Sequence, residues 1–267
     1  MDMSNIITII TIVFNDKDHI EKTLLSVINQ NIKEIEYIII DGGSTDGTVD
    51  IIRKYENDIA YWSSEKDHGI VDAFNKGIKK ATGDIIGLVN SGDFLEPNTL
   101  KKVSKTFENN NADIVYGNMQ YWQKNKKEYI YKADHRLLTK FMSLNHPAVF
   151  VKKEIYNQYG LFDDRYKVAM DYDLMLRFYS KDAKFIYIDD VLSNMALGGV
   201  SDVNWQLAYR ESFNIRKKYM GNSLSLYTSY LWQVLKRYVS NAVSKLGLES
   251  IKKFYRTYFS PIKKEKS

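Results

Sequence analysis

Four short runs rich in Ile and Val, "IITIITIVF", "IEYIIID", "IAYWS" and "GDIIGLVN", recur along the first ninety residues, separated by stretches whose apolar residues come at helical spacing. Strands this apolar expect cover on both faces, and their alternation with helices predicts a doubly wound α/β sheet. The first helix fits residues 18–29, where Ile20, Leu24, Val27 and Ile28 share a face. A second fits Thr45 to Tyr55, opened by a Ser/Thr/Asp cluster, and a third runs from about Ile70 to Ala81. Beyond Asp93 a helix follows Pro97, and "ADIVYGNMQYW" and "KKEYIYKA" predict two antiparallel strands around a Lys/Asn turn. No Pro/Gly/Ser-rich linker divides the halves, so residues 1–219 are expected to form one domain.

After Met220 the pattern changes. Tyr227, Tyr230, Leu231, Val234, Leu235, Tyr238, Val239, Ala242, Val243 and Leu246 keep a three-four spacing, which predicts a long amphipathic helix. Polar residues interrupt it too often for a membrane span. Residues 220–267 are therefore expected to be a helical tail, either packed on the domain or lying in a membrane interface with its basic side toward anionic lipid. From residue 236 onward there are nine Lys and Arg against two Glu, leaving 29 basic and 31 acidic residues elsewhere. A nucleic-acid enzyme would spread positive charge over its cleft, so no nucleic-acid partner is expected. The 267 residues contain no cysteine, which excludes disulfides and thiolate metal sites. The N-terminus carries an acid at Asp2 and no basic region before its apolar run, so it reads as a first strand and not as a signal sequence.

Ligands of an open parallel sheet bind beyond the carboxyl ends of its strands. There the chain has Thr11 and Asn15 after the first run, "DGGSTDGT" from Asp41 to Thr48 after the second, "SSEKDHG" after the third and "NSGD" after the fourth. No G-x-G-x-x-G follows the first strand and no lysine follows "GGSTDG", which removes a dinucleotide fold and a P-loop. What remains is a nucleotide site read by acids: Asp41 can accept from a base N–H or a ribose hydroxyl, and Gly42 and Gly43 permit close approach. The structural alternative is a tight turn with Ser44 or Thr45 capping the next helix.

In order and at this spacing, "ITIVFND", "IEYIIIDGGSTDGTVDII", "SEKDHGIVDAFNKGI", "ATGDIIGLVNSGD", "NHPAVFVKKEIY" and "MDYDLMLRF" resemble the family-2 bacterial glycosyltransferases of the GT-A fold. The likeness covers about residues 5–215 and is nearest to the branch that builds cell-surface polysaccharides, similar to colanic-acid-type transferases. It implies a GT-A mixed sheet with helices on both faces. The family's Asp-X-Asp motif falls on Asn90, Ser91 and Gly92, with Asp93 next. The resemblance then implies that Asp93 holds Mg²⁺ or Mn²⁺ against a diphosphate, with Asn90 and Ser91 beside the nucleotide; the competing reading makes Asp93 a helix cap. It also places Asp67 near the nucleotide and Lys76 beside the diphosphate, though a solvated charge is an equal reading of Lys76. His146 falls on the acceptor or diphosphate side, and "LGGVS", with Gly198 and Gly199, on a loop that closes over the donor.

Inverting transfer needs a carboxylate that takes the acceptor's proton while the sugar's bond to the diphosphate breaks. The resemblance gives that role to Asp171, an N-cap in the structural reading, and leaves Asp173 structural. The sequence-based expectation is a metal-dependent, inverting hexosyltransferase-type enzyme moving a sugar from a nucleoside diphosphate, with a lean to uridine, to a glycan or lipid-linked acceptor. It would work in the cytoplasm, peripheral on the inner face of the membrane through its tail. The alternatives are a sugar-nucleotide-binding or scaffold subunit that has lost chemistry, and a nucleotidyltransferase.

Overall fold

The computed structural model describes residues 6–30, 32, 34–123, 126–198, 203–248, 250, 254 and 263–264. Strands β1 (Ile7–Val13), β2 (Ile35–Asp41), β3 (Tyr61–Ser64) and β4 (Ile85–Leu88) alternate with helices α1 (Ile20–Ile28), α2 (Thr48–Lys54) and α3 (Ile70–Lys80). All four strands run parallel, in the order β4-β1-β2-β3. Helix α4 (Thr99–Asn109) follows a two-residue strand β5 (Phe94–Leu95). The expected hairpin is present as β6 (Ile114–Gln123) and β7 (Lys126–Tyr131), antiparallel.

The second half contributes β8 (Val149–Lys152), α5 (Lys153–Tyr159), α6 (Met170–Tyr179) and β9 (Phe185–Ala196). Strand β8 is antiparallel to both β4 and β6, whereas β9 runs parallel to β6 and also pairs antiparallel with β5. Two reversals restore direction, so β1, β2, β3, β4, β6 and β9 all point one way. Helix α6 descends to the start of β9, which places the N-terminus of α6 at the same carboxyl end as the tip of β4. A two-residue strand β10 (Lys263–Lys264) pairs with β7.

Side chains alternate across the sheet into two cores. Ile7, Ile9, Tyr37 and Ile39 pack with Leu24 of α1, Ile52 of α2 and Leu100 and Val103 of α4. Ile10, Ile12, Ile38 and Ile40 pack with Phe74 of α3, Tyr156 of α5, and Tyr172, Met175 and Phe178 of α6. Every residue of β1 is buried, which is why its sequence shows no polar alternation. Each such Ile contributes about 1.5–3 kcal/mol on burial. Helix α3 lies hard against β1: a Cβ at Gly77 would meet Ile10 Cγ2 at 2.5 Å, so Gly77→Ala forces the two apart.

Helix α7 (Trp205–Met220) covers α6 and stops at Gly221, whose φ is +76°. Helix α8 (Leu224–Lys245) is 22 residues long and follows after a short turn, capped by Ser223, whose hydroxyl accepts from the Leu226 N–H. Its contact with α7 runs through Tyr227 and Tyr230 on Phe213, Tyr238 on Trp205, and Ser229 with Arg216. Leu231, Trp232, Leu235, Val239 and Leu246 are more than half exposed. One side of the helix is thus packed on α7, as the packed reading expected, and the other is left exposed. No helix among the described residues is long and apolar enough to cross a membrane.

Candidate active site

The loops at the carboxyl end of the sheet are fastened to one another. Asn15, at φ +48°, donates its N–H to Ser44 Oγ (2.7 Å) and accepts from the Thr45 N–H through Oδ1 (2.8 Å). Asp16 joins the same cluster: its N–H reaches Thr48 Oγ1, its Oδ1 lies 2.5 Å from His19 Nδ1, and its Oδ2 accepts from the Ser91 hydroxyl at 2.6 Å. The first and fourth strand ends are therefore connected by Asp16, which sequence reasoning passed over inside the charged run "NDKD".

Asp41 is fully buried and serves its own loop. Its carboxylate accepts from the Gly43 and Ser44 N–H groups and from the hydroxyls of Ser44 and Ser64. That is the tight-turn reading, with one change: neither Ser44 nor Thr45 caps α2. Asp46 accepts from the Thr48 N–H (3.0 Å) and lets the helix begin at Thr48. The Thr48 hydroxyl also donates to Asp46 at 2.6 Å and is the main reason its half-buried carboxyl is held down at about 2. Thr11 is not brought to the site. It is fully buried, donates to the Val89 carbonyl at 2.8 Å and lies 3.0 Å from the Tyr37 hydroxyl, so it ties β1 to its neighbours inside the sheet.

Gly42, Asp67 and Phe14 meet beyond the carboxyl end of β2. A Cβ at Gly42 would stand 2.7 Å from Asp67 Oδ2 and 3.3 Å from Phe14 Cδ2, so these side chains close on the glycine from both sides. Gly43, at φ +85°, lets the chain turn beneath Lys66. Phe14 is 61% exposed, an unusual position for a phenylalanine with nothing to cover it. Only its place between Thr11 and Asn15 could have signalled it. Lys76 is ion-paired with Glu65 (3.0 Å) and Asp72 (3.3 Å), and Glu65 is the main cause of its raised pKa.

The "NSGD" turn presents two oxygen groups with open lone pairs. Asn90 Oδ1 is buried with no partner among the described residues. Asp93 is 5% exposed, and no described side chain or backbone N–H donates to its carboxyl. Burial, and secondarily the charge of Asp16, push Asp93 well above the usual carboxylate range. Asp93 does not cap α4: the cap position is Asn98. Among the described residues no three His, Asp or Glu side chains gather as a metal cage. One carboxylate and one amide oxygen fit a hard cation that completes its shell with diphosphate oxygens and water.

Asp171 lies in the first turn of α6, whose cap position is Ala169, so it is not the N-cap. Its Oδ1 accepts from the Tyr172 N–H at 2.8 Å. Desolvation, reinforced by the charge of Glu211, raises its pKa to about 6 against the effect of the backbone bonds. Asp173 is the structural partner: fully buried, it receives Arg177, Lys218 and the Tyr219 hydroxyl.

His146, just before β8, stacks near Phe74 and Phe162, and burial lowers its pKa to about 4. It is neutral at pH 7, yet both ring nitrogens lack a partner among the described residues, as does Nδ2 of adjoining Asn145, whose Oδ1 is held by the Tyr121 hydroxyl. Buried polar groups left open in this way are costly unless something fills them. Gly199 lies outside the described residues; Gly198, at φ +98°, has open space around it.

Comparisons with known proteins identify the family and the fold. The family model described as glycosyl transferase family 2 matches residues 8–183. A PGL/p-HBAD biosynthesis glycosyltransferase from Mycobacterium bovis is 29% identical over 185 residues, 66% of this chain and 72% of that protein. An uncharacterised glycosyltransferase of Mycobacterium tuberculosis is 44% identical over 88 residues, which span 33% of this chain and 34% of its relative, about a third of each. Among solved structures, a mannosyltransferase of Pyrobaculum calidifontis in complex with GDP-Man and Mn²⁺ superposes with a TM-score of 0.67 at 16% identity, covering 96% of this chain and 82% of that one. Residues 1–349 of TarS from Staphylococcus aureus, in complex with UDP, give 0.64 at 19% identity over 90% and 73%. These structural likenesses show the GT-A fold, and the matched family model covers its sheet from β1 to α6: the chain belongs to glycosyl transferase family 2.

Proposed function

We propose that the protein transfers a sugar from a nucleoside diphosphate, a uridine diphosphate in our reading, to a hydroxyl of a cell-surface glycan or lipid-linked acceptor, with inversion. The observation that carries this is Asp171: a desolvated carboxyl with a pKa of about 6, at the carboxyl end of the sheet, accepting one backbone N–H. At pH 7 it is mostly ionised and still basic enough to accept a proton. It takes the proton of the acceptor hydroxyl as that oxygen bonds to the anomeric carbon. The bond from that carbon to the diphosphate oxygen breaks, and the nucleoside diphosphate leaves with the electron pair. Asp93 and Asn90 would hold Mg²⁺ or Mn²⁺, whose chemistry is to neutralise charge on the departing diphosphate.

Phe14 offers a flat face for the nucleobase, with Asp67 across Gly42 as acceptor for a base N–H or ribose hydroxyl. Asn15, Asp41, Gly43 and Ser91 act by shaping these loops. Lys76 reaches a diphosphate only by leaving Glu65 and Asp72. His146 and Asn145 offer neutral partners to the transferred sugar or the acceptor. The exposed apolar side of α8, with the basic residues from position 236 onward, supports a peripheral seat on an anionic membrane, on the cytoplasmic side where nucleotide sugars are made.

A panel of sugar nucleotides with Mn²⁺ tests the reaction. Release of free nucleoside diphosphate, abolished by Asp171→Asn and by Asp93→Ala, is expected; stabilisation by a sugar nucleotide without turnover against any acceptor would favour a binding subunit instead. Sedimentation with anionic vesicles tests the seat, with Leu231, Trp232 and Leu235 changed together to Ser expected to abolish binding.

A further inference from the structure

Helix α6 begins without a cap of its own, since Ala169 has no side chain that can accept a hydrogen bond. The acceptor comes from α7. Glu211 is 7% exposed, and its carboxylate takes three successive backbone amides ahead of α6: Oε1 accepts from the Lys167 N–H at 2.9 Å, and Oε2 from the Val168 and Ala169 N–H groups at 2.9 and 2.8 Å. Asp171 is two residues further on. Seven residues along α7 from Glu211, Lys218 reaches Asp173 at 3.0 Å, joined there by the Tyr219 hydroxyl at 3.0 Å. Helix α7 therefore grips α6 on both sides of the base. Glu211 also lies beyond the segment matched by the family model, which ends at residue 183.

We propose that Glu211 is a positioning residue for Asp171, fixing the base's backbone through three amide hydrogen bonds while setting a negative charge beside it. The inference rests on Asp171 being the proton acceptor. Three charge-assisted bonds to one rigid carboxylate leave the start of α6 little freedom, and a base displaced by even 1 Å loses much of its rate. Among the described residues the titratable groups that face Asp171 are Glu211 from α7 and Tyr131 from β7; burial keeps the Tyr131 phenol protonated, so Glu211 supplies the charge. A carboxylate facing Asp171 keeps it a stronger base than the helix N-terminus alone would allow.

Two variants separate charge from reach. Glu211→Gln removes the charge and turns one acceptor into a donor. The expected result is a kcat lower by about 10- to 100-fold, donor KM within about twofold, and an acid limb of the kcat profile moved to lower pH. Glu211→Asp keeps the charge but falls one methylene short, so kcat should drop while the limb stays near its original pH. In an Asp171→Asn background Glu211→Gln should have no further effect on the residual rate, because the pathway it acts through is gone. An unmoved acid limb in Glu211→Gln, or equal losses in the presence and absence of Asp171, would overturn the proposal. If Glu211→Gln does not fold, the kcat-against-KM split of Glu211→Asp decides, a rise in donor KM with kcat unchanged counting against it. Normal turnover in Asp171→Asn alone would instead refute the assignment of the base, a different failure.

Discussion

Two aspartates at the same end of the sheet are raised in pKa mainly by burial, yet their surroundings differ. Asp93 receives no hydrogen bond among the described residues and has Asp16 for a neighbour, whereas Asp171 is held by a backbone N–H and faces a carboxylate that is itself satisfied by three amides. The first corner has a carboxyl without a donor among the described residues, which is why we assign it a cation. The second has a carboxyl already held, which is why we assign it a proton. Desolvation alone therefore does not assign a role; the inventory of donors around each carboxyl does.

The widest separation between the corners should come from removing the base. Asp171→Asn is expected to lower kcat by about 10²- to 10⁴-fold, the usual worth of general base catalysis, while leaving the thermal shift caused by UDP with Mn²⁺ intact. Asp93→Ala should do the reverse in binding: the increment that Mn²⁺ adds to UDP stabilisation should vanish, and chelation of wild type should reproduce it. An unchanged increment would show that the cation sits elsewhere.

Next in size is the cluster of Phe14, Gly42 and Asp67. Phe14→Ala should weaken UDP by about 1–3 kcal/mol, the range for a base stacked on an aromatic ring, measured by calorimetry, without moving the pH dependence of turnover. The two corners can also be compared without ligand. Both folded-state pKa values lie above their unfolded ones, so the stability they contribute is present below pH ~4 and is lost as pH rises through the folded value. For Asp171 that loss runs from about pH 4 and is complete by about pH 6. Asp171→Asn should remove the decline in melting temperature across this window, an effect of a few degrees; Asp93→Asn should remove a decline placed by the pKa of Asp93. The smallest effect is expected of Gly42→Ala, whose Cβ displaces Asp67 and should raise donor KM severalfold with kcat preserved.

The first half of the fold was legible because its inner strands β1, β2 and β4 are largely buried on both faces and its helices on one, giving two distinct patterns. Strand β9 was not. Its exposed middle carries Asp189 and Asp190 between the buried Phe185 and the buried run Leu192, Ser193 and Asn194, so no single period marks its twelve residues and the sequence reading set no bounds on it. In the site, Asp93 and Asp171 were found by motif, and their carboxyl-end location follows from the topology. Thr11 was placed correctly at a strand end but turns inward, because on a strand buried on both faces a hydroxyl finds its partner within the sheet. Glu211 left no local mark: its partners lie more than forty residues earlier, and only packing of α7 on α6 brings them together.

Strand β9 belongs to both halves, pairing with β6 along its length and with β5 near its end. Phe94 and Leu95, directly after Asp93, are thus stitched in place by residues 193 and 194. A fragment truncated near residue 150 would keep the loops after β1 to β4 and lose the seam that holds the acidic turn. The first half of this chain is consequently no portable module, and splitting or permuting the polypeptide between the two would be expected to loosen Asp93 along with Asp171.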